Sequence, residues 1–159
     1  MLKIFGILML CVSIIAAGFC LYDKYLSRKK YIEALLKLSE TVVVLMQSSN
    51  ENIFKILNDS ANNELLFLKD INQSNMFNKD KVLELLTKYN ISKDDRSIVS
   101  DFIMGLGTTD IKGQTVHCNF FNGKFRLMLS EAEKNLTDKA KIYRSLSMLL
   151  SAAVFIILI

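Results

Sequence analysis

The run IFGILMLCVSIIAAGFCLY, Ile4 to Tyr22, decides how the rest of the chain is read, because it contains no Asp, Glu, Lys or Arg. A helix of roughly 20 apolar residues spans the hydrocarbon core of a bilayer, so this stretch predicts a membrane anchor. A cleaved signal peptide is the rival reading, since Lys3 precedes the run and Ala16, Ala17 and Gly18 are small. Three features favour an uncleaved anchor. The flank before it holds a single Lys, and the run outlasts an ordinary signal-peptide core. Neither Cys20, preceded by Phe19, nor Cys11, preceded by Leu10, follows the small residue that a lipoprotein-type site wants.

At the other end, Ser145 to Ile159 is again uncharged and closes on Ala152-Ala153-Val154-Phe155-Ile156-Ile157-Leu158-Ile159. It is short for a span. Lys141 and Arg144 precede it, and their long stems can lie on apolar surface while the charged heads reach the headgroups. A tail with no polar face fits a membrane better than a buried core position.

Basic residues set the orientation by the positive-inside rule. Lys24, Arg28, Lys29, Lys30 and Lys37 follow the first segment, and Lys134, Lys139, Lys141 and Arg144 precede the second, while Lys3 alone lies on the far side. The expected organisation is a transmembrane helix over residues 1–24, a cytoplasmic helical-bundle domain over 25–143 and a second transmembrane helix over 144–159. The net charge of +4 over 159 residues reads as attraction to an anionic lipid surface. Aromatic and basic residues are not interleaved as a nucleic-acid stacking platform would need, and no nucleic acid is expected as a partner.

Between the anchors the chain has enough residues for one core and no proline anywhere, which suits helices. Ile32, Leu35, Leu36, Ser39, Val42, Val43 and Met46 follow the spacing of one helical face, so the first helix is expected to continue past the membrane. Ser48 with Glu51 forms a capping box before a helix at Ile53–Leu57, and Ser92 with Asp95 forms another before Ile98, Val99, Phe102 and Ile103. Asn78 caps a helix from Lys81 to Tyr89, and a short helix is expected from Glu64 to Asn72. Asn58–Asn63 and Asn72–Asn78 read as turns.

Gly105-Leu106-Gly107-Thr108-Thr109-Asp110 is the strongest punctuation. A glycine there can end one helix in the left-handed conformation, and Asp110 can cap the next. From Asp110 one long helix is expected to run into the second membrane segment, with Val116, Phe120, Phe121, Phe125, Met128, Leu129, Ala132 and Leu136 as its apolar stripe. The fold predicted is all-α: an antiparallel bundle of about six helices, the first and last continuing into the membrane.

Chemistry is sparse. Gly105-Leu106-Gly107 lacks the Lys and spacing of a phosphate loop. His117 is the one histidine, the three cysteines form no CxxC pair, and Asp94-Asp95 fit the first turn of a helix. No catalytic residue, metal or cofactor is expected, and the chain reads as a non-enzyme. Gly107, Asp110 and Gln114 are the candidate site, either a partner surface or a structural turn.

The order of features resembles the stage III sporulation protein AB family of endospore-forming bacteria. The resemblance covers the whole chain. It is carried by Gly6, Gly18, Phe19, Ser27-Arg28, Leu38, Glu40, Asp95-Arg96, Leu106-Gly107-Thr108-Thr109-Asp110 with Gln114, and Tyr143-Arg144-Ser145-Leu146. The chain departs from the family in having no proline in Ser48–Asn52, and Ser147, Leu150 and Ser151 where glycines are usual. What the resemblance implies is a platform component of the secretion-like channel between mother cell and forespore, its domain similar to the cytoplasmic domain of the type II secretion inner-membrane platform protein. It further implies a place in the mother-cell membrane around the forespore and, as partners, the stage III sporulation protein AA ATPase and other channel components. A homo-oligomer stays open. The alternative is a membrane-anchored helical sensor of a signal or ligand.

Overall fold

The computed structural model describes residues 2–48, 64–74 and 78–158, together with Lys55, Leu57 and Asp59. The chain is all-α, with no strand among the described residues. Helix α1 spans Leu2–Ser48, α2 Phe67–Ser74, α3 Lys79–Lys88, α4 Lys93–Gly105 and α5 Ile111–Asn135; a π turn over Leu136–Ala140 then leads without a break into α6, Lys141–Leu158. Counting that last run once gives five helices with described bounds, and Lys55, Leu57 and Asp59 are helical as well. The capping box at Ser48 and Glu51, most of the helix at Ile53–Leu57 and most of the turn at Asn58–Asn63 lie outside the described residues.

The chain forms two compact units, Lys30–Leu129 and Met1–Lys29 with Ser130–Ile159. In the first, the predicted face of α1 buries Ile32, Leu35, Leu38 and Val42. Buried Ser39 donates to the Leu36 carbonyl and to Asn122 Oδ1 of α5, and Glu40 meets Arg126 at 3.2 Å. Val99, Phe102 and Ile103 from α4 and Cys118, Phe121, Phe125 and Met128 from α5 complete the core. Phe102 is its hub: its ring centre lies 5.8 Å from His117, 5.5 Å from Phe121 and 5.1 Å from Phe125. The inward positions of α5 repeat at three and four residues, which turns Val116 and Phe120 to the outer side, 70% and 59% exposed. These two do not belong to the inner stripe predicted for them.

Local signals explain most of the helix ends. Asn78 Oδ1 accepts from the Asp80 N–H at 3.0 Å, as predicted. α3 stops where Asn90 takes φ 56°, with Ile91 N–H bonded to Leu86 O and Asn90 N–H to Thr87 O, a Schellman ending in which Asn replaces the usual glycine. Ser92 occupies the N-cap of α4 but makes no side-chain cap. The expected capping box fails because buried Asp95 turns inward and accepts from the Tyr31 hydroxyl of α1. The helix expected at Glu64–Asn72 is displaced to Phe67–Ser74, so part of the turn predicted at Asn72–Asn78 is helical.

Burial raises the thiol of Cys118 from its ordinary 9.0 to about 11. A raised folded-state value means that the folded protein favours the neutral thiol, so this contribution to stability is complete below pH 9 and is lost as pH climbs toward 11. Urea unfolding followed between about pH 8 and about pH 10 should show a fall of about 1 kcal/mol or more that Cys118→Ala lacks. An identical pH slope in the variant would contradict this reading.

The second unit pairs the N-terminal part of α1 with the end of α5, the π turn and α6. Arg28 contacts Glu131 at 3.3 Å and Lys29 contacts Glu133 at 3.2 Å, while Ser151 Oγ donates to Cys11 O at 3.3 Å; the two chain segments are therefore antiparallel. The two segments pack tightly at Gly18, where an added Cβ would lie 2.0 Å from Ser147 Oγ and 2.6 Å from Ser147 Cβ. The buried positions Ala132, Ala140, Ser147 and Ser151 show what the π turn does. The step from 132 to 140 is one residue longer than two α-helical turns, and a π turn absorbs that extra residue, which brings the small serines onto α1. Large apolar side chains point away from the contact, including Leu8, Val12, Leu149 and Ile156. Both helical runs are long and apolar enough to cross a membrane, and their most apolar windows are only 11% and 6% buried. That exposure distinguishes them from core helices of a soluble protein.

Candidate functional site at the turn before the last helix

α4 ends on Gly105, with Leu106 extended and Gly107 at φ 77°, a left-handed conformation that costs glycine little. The chain reverses through Thr108 and Thr109 and enters α5 at Asp110. Asp110 Oδ1 accepts from the Gly113 N–H at 2.9 Å, satisfying one of the free donors at the start of α5. Gly113 leaves room for this cap: a Cβ there would lie 2.6 Å from Thr109 Oγ1 and 3.1 Å from Asp110 Oδ1.

Gln114 holds the turn from beneath. It is 1% exposed, and its Nε2 donates to Gly105 O and to Thr109 Oγ1, both at 3.0 Å. Thr108 Oγ1 also donates to Gly105 O, at 2.9 Å, so the last carbonyl of α4 is doubly satisfied. Gln114 Oε1 is buried with no hydrogen-bond partner among the described residues. Gly107, Thr108, Thr109 and Asp110 face outward and are exposed. The three candidate residues thus share one turn but not one surface: Gly107 and Asp110 can meet a partner, and Gln114 braces them.

Thr109 and Gly105 belong to the turn the sequence predicts but not to the three candidate site residues, and both take part in the bracing. Gly105 makes space for His117, whose Cε1 would be 2.1 Å from an added Cβ. His117 Nε2 lies 2.9 Å from Phe102 O, and because a carbonyl only accepts, Nε2 carries the proton. The ring is stacked on Phe102 and serves the core. Among the described residues no group of three or more His, Cys, Asp or Glu is placed to hold a metal.

Asp110→Ala should lower the stability of the Lys30–Leu129 unit by about 1 kcal/mol, the usual worth of an N-cap. Asp110→Asn keeps an accepting oxygen and should remain close to wild type in urea unfolding. Equal losses in both variants would show that the charge, rather than the cap, stabilises the turn.

The architecture defines an all-helical protein with two helices able to cross a membrane. The sequence model of the stage III sporulation protein AB family matches residues 3–159, and the chain belongs to that family. Comparison with curated proteins and with solved structures gave no match.

Proposed function

We propose that the protein is a membrane-anchored structural platform of the channel between mother cell and forespore. In this reading the terminal helices cross the mother-cell membrane, the Lys30–Leu129 unit lies on its cytoplasmic side, and the turn at Gly107–Asp110 docks the stage III sporulation protein AA ATPase. Hydrolysis belongs to the partner. The observation that carries the reading is the pairing of two lipid-compatible helices in a chain of this sporulation family. Basic residues flanking the inner ends of both helices support the orientation, and an exposed, rigidly braced turn supports docking.

The test is recovery of the tagged full-length protein from membranes of sporulating cells, followed by a search for the ATPase in the eluate. Wild type should retain it. Asp110→Asn should reduce retention without lowering the level of the bait. An intact bait that brings no ATPase would overturn the docking role, and undiminished retention by the variant would remove Asp110 from the contact.

A further inference from the structure

Cations in the hairpin formed by residues 1–29 and 130–159 differ in their partners, and Lys134 and Lys139 form no ion pair among the described residues. Arg28 and Lys29 are matched to Glu131 and Glu133. Nearer the apolar end, the Arg144 guanidinium carbon lies 4.7 Å from the ring centre of Phe19 and 5.5 Å from that of Tyr22. Arg144 forms no ion pair among the described residues, and neither do Lys141 and Lys24. Lys141 precedes Arg144 by three positions on α6, so the two side chains leave the same face.

A guanidinium resting on two aromatic rings is held in one plane with its N–H edge free. Such a planar fork fits a pair of phosphate oxygens. The place is also suitable, because aromatic and basic side chains at the end of an apolar helix lie at headgroup depth. Here positive charge without a counter-ion among the described residues meets a surface where anionic phosphate is supplied.

We infer that Arg144, positioned by Phe19 and Tyr22 and assisted by Lys141, is a binding seat for the phosphate of an anionic phospholipid. The inference rests on the membrane reading proposed above. Free phosphate offers the same oxygens, but a lipid also places acyl chains against the exposed apolar side chains of α6, including Leu146 and Leu149.

The experiment reconstitutes the full-length protein into vesicles of phosphatidylcholine with an equal part of phosphatidylglycerol, then reads by native mass spectrometry which lipid stays bound after extraction. Wild type should retain phosphatidylglycerol over phosphatidylcholine, and Arg144→Gln should lower that preference about fivefold or more. Lys134→Gln, which makes the same charge change outside the seat, should leave the preference intact. Phe19→Leu with Tyr22→Leu should weaken the preference while Arg144 remains. Unchanged preference in Arg144→Gln would overturn the seat, as would an equal loss in Lys134→Gln. Displacement of the lipid by millimolar inorganic phosphate would overturn the lipid as its occupant. Reconstitution of wild type into pure phosphatidylcholine vesicles tests the membrane reading separately, since insertion there does not need the seat.

Discussion

Phe102→Ala should lower the stability of the Lys30–Leu129 unit by about 3–5 kcal/mol, the cost of removing a buried ring and leaving its cavity. Phe102 is fully buried, and three aromatic side chains converge on it from one face of α5. Collapse cannot refill the gap cheaply. His117 is tied to the Phe102 carbonyl, and Phe125 is itself fully buried. The loss would loosen the α4–α5 turn as well as the core, because Gly105 and His117 are adjacent in the structure. Urea unfolding of the full-length protein in mild detergent, followed by far-ultraviolet circular dichroism, measures the effect. Phe120→Ala is the control: that ring is 59% exposed, and its removal should cost about 0.5 kcal/mol or less. Similar losses from both substitutions would contradict the assignment of the inner face.

Gly18→Leu should separate the terminal helices, at a cost of about 3 kcal/mol, the upper end of ordinary overpacking. Lipid chains are as apolar as Leu, so helices in a membrane associate through close packing, and small residues at the contact are what permit it. Gly18 faces Ser147 at a distance that already excludes a methyl group. One turn further along α6, Ser151 and Cys11 exchange contacts, with Cys11 Sγ 3.5 Å from Ser151 O. A Ser151→Cys substitution, in a chain whose Cys20 and Cys118 are replaced by Ala, should form an internal disulfide with Cys11 on mild oxidation. Adding Gly18→Leu should abolish that bridge. Efficient bridging in the presence of Leu at 18 would place the helix contact elsewhere.

How much of this was readable from sequence depends on whether a local signal or a distant partner decides each element. The long last helix was legible because Gly107 and Asp110 announce its start and no Pro follows. α1 was legible because an uncharged run is succeeded by an unbroken helical face from Ile32 to Met46. The π turn was not, since Leu136–Ala140 carries neither Gly nor Pro; its cause is the need to bring Ala140, Ser147 and Ser151 to one side. Asp95 looked like a cap until Tyr31, far away in sequence, claimed its carboxylate. The outward position of Val116 and Phe120 was hidden because α5 is apolar on more than one side, and only the packing selects which side faces in. At the candidate turn the cap at Asp110 is visible in the sequence, whereas the sequence leaves Gln114 open between a partner surface and a structural turn, and the carbonyl of Gly105 decides for the second.

Membrane topology is the claim on which the platform reading stands. Its most direct measurement uses single cysteines in a chain whose Cys11, Cys20 and Cys118 are replaced, expressed in intact cells and treated with a membrane-impermeant maleimide. Lys3→Cys should be labelled from outside, and Lys112→Cys should react only after the membrane is opened. Labelling of Lys112→Cys in intact cells, with Lys3→Cys protected, would contradict the account by placing the Lys30–Leu129 unit on the other side.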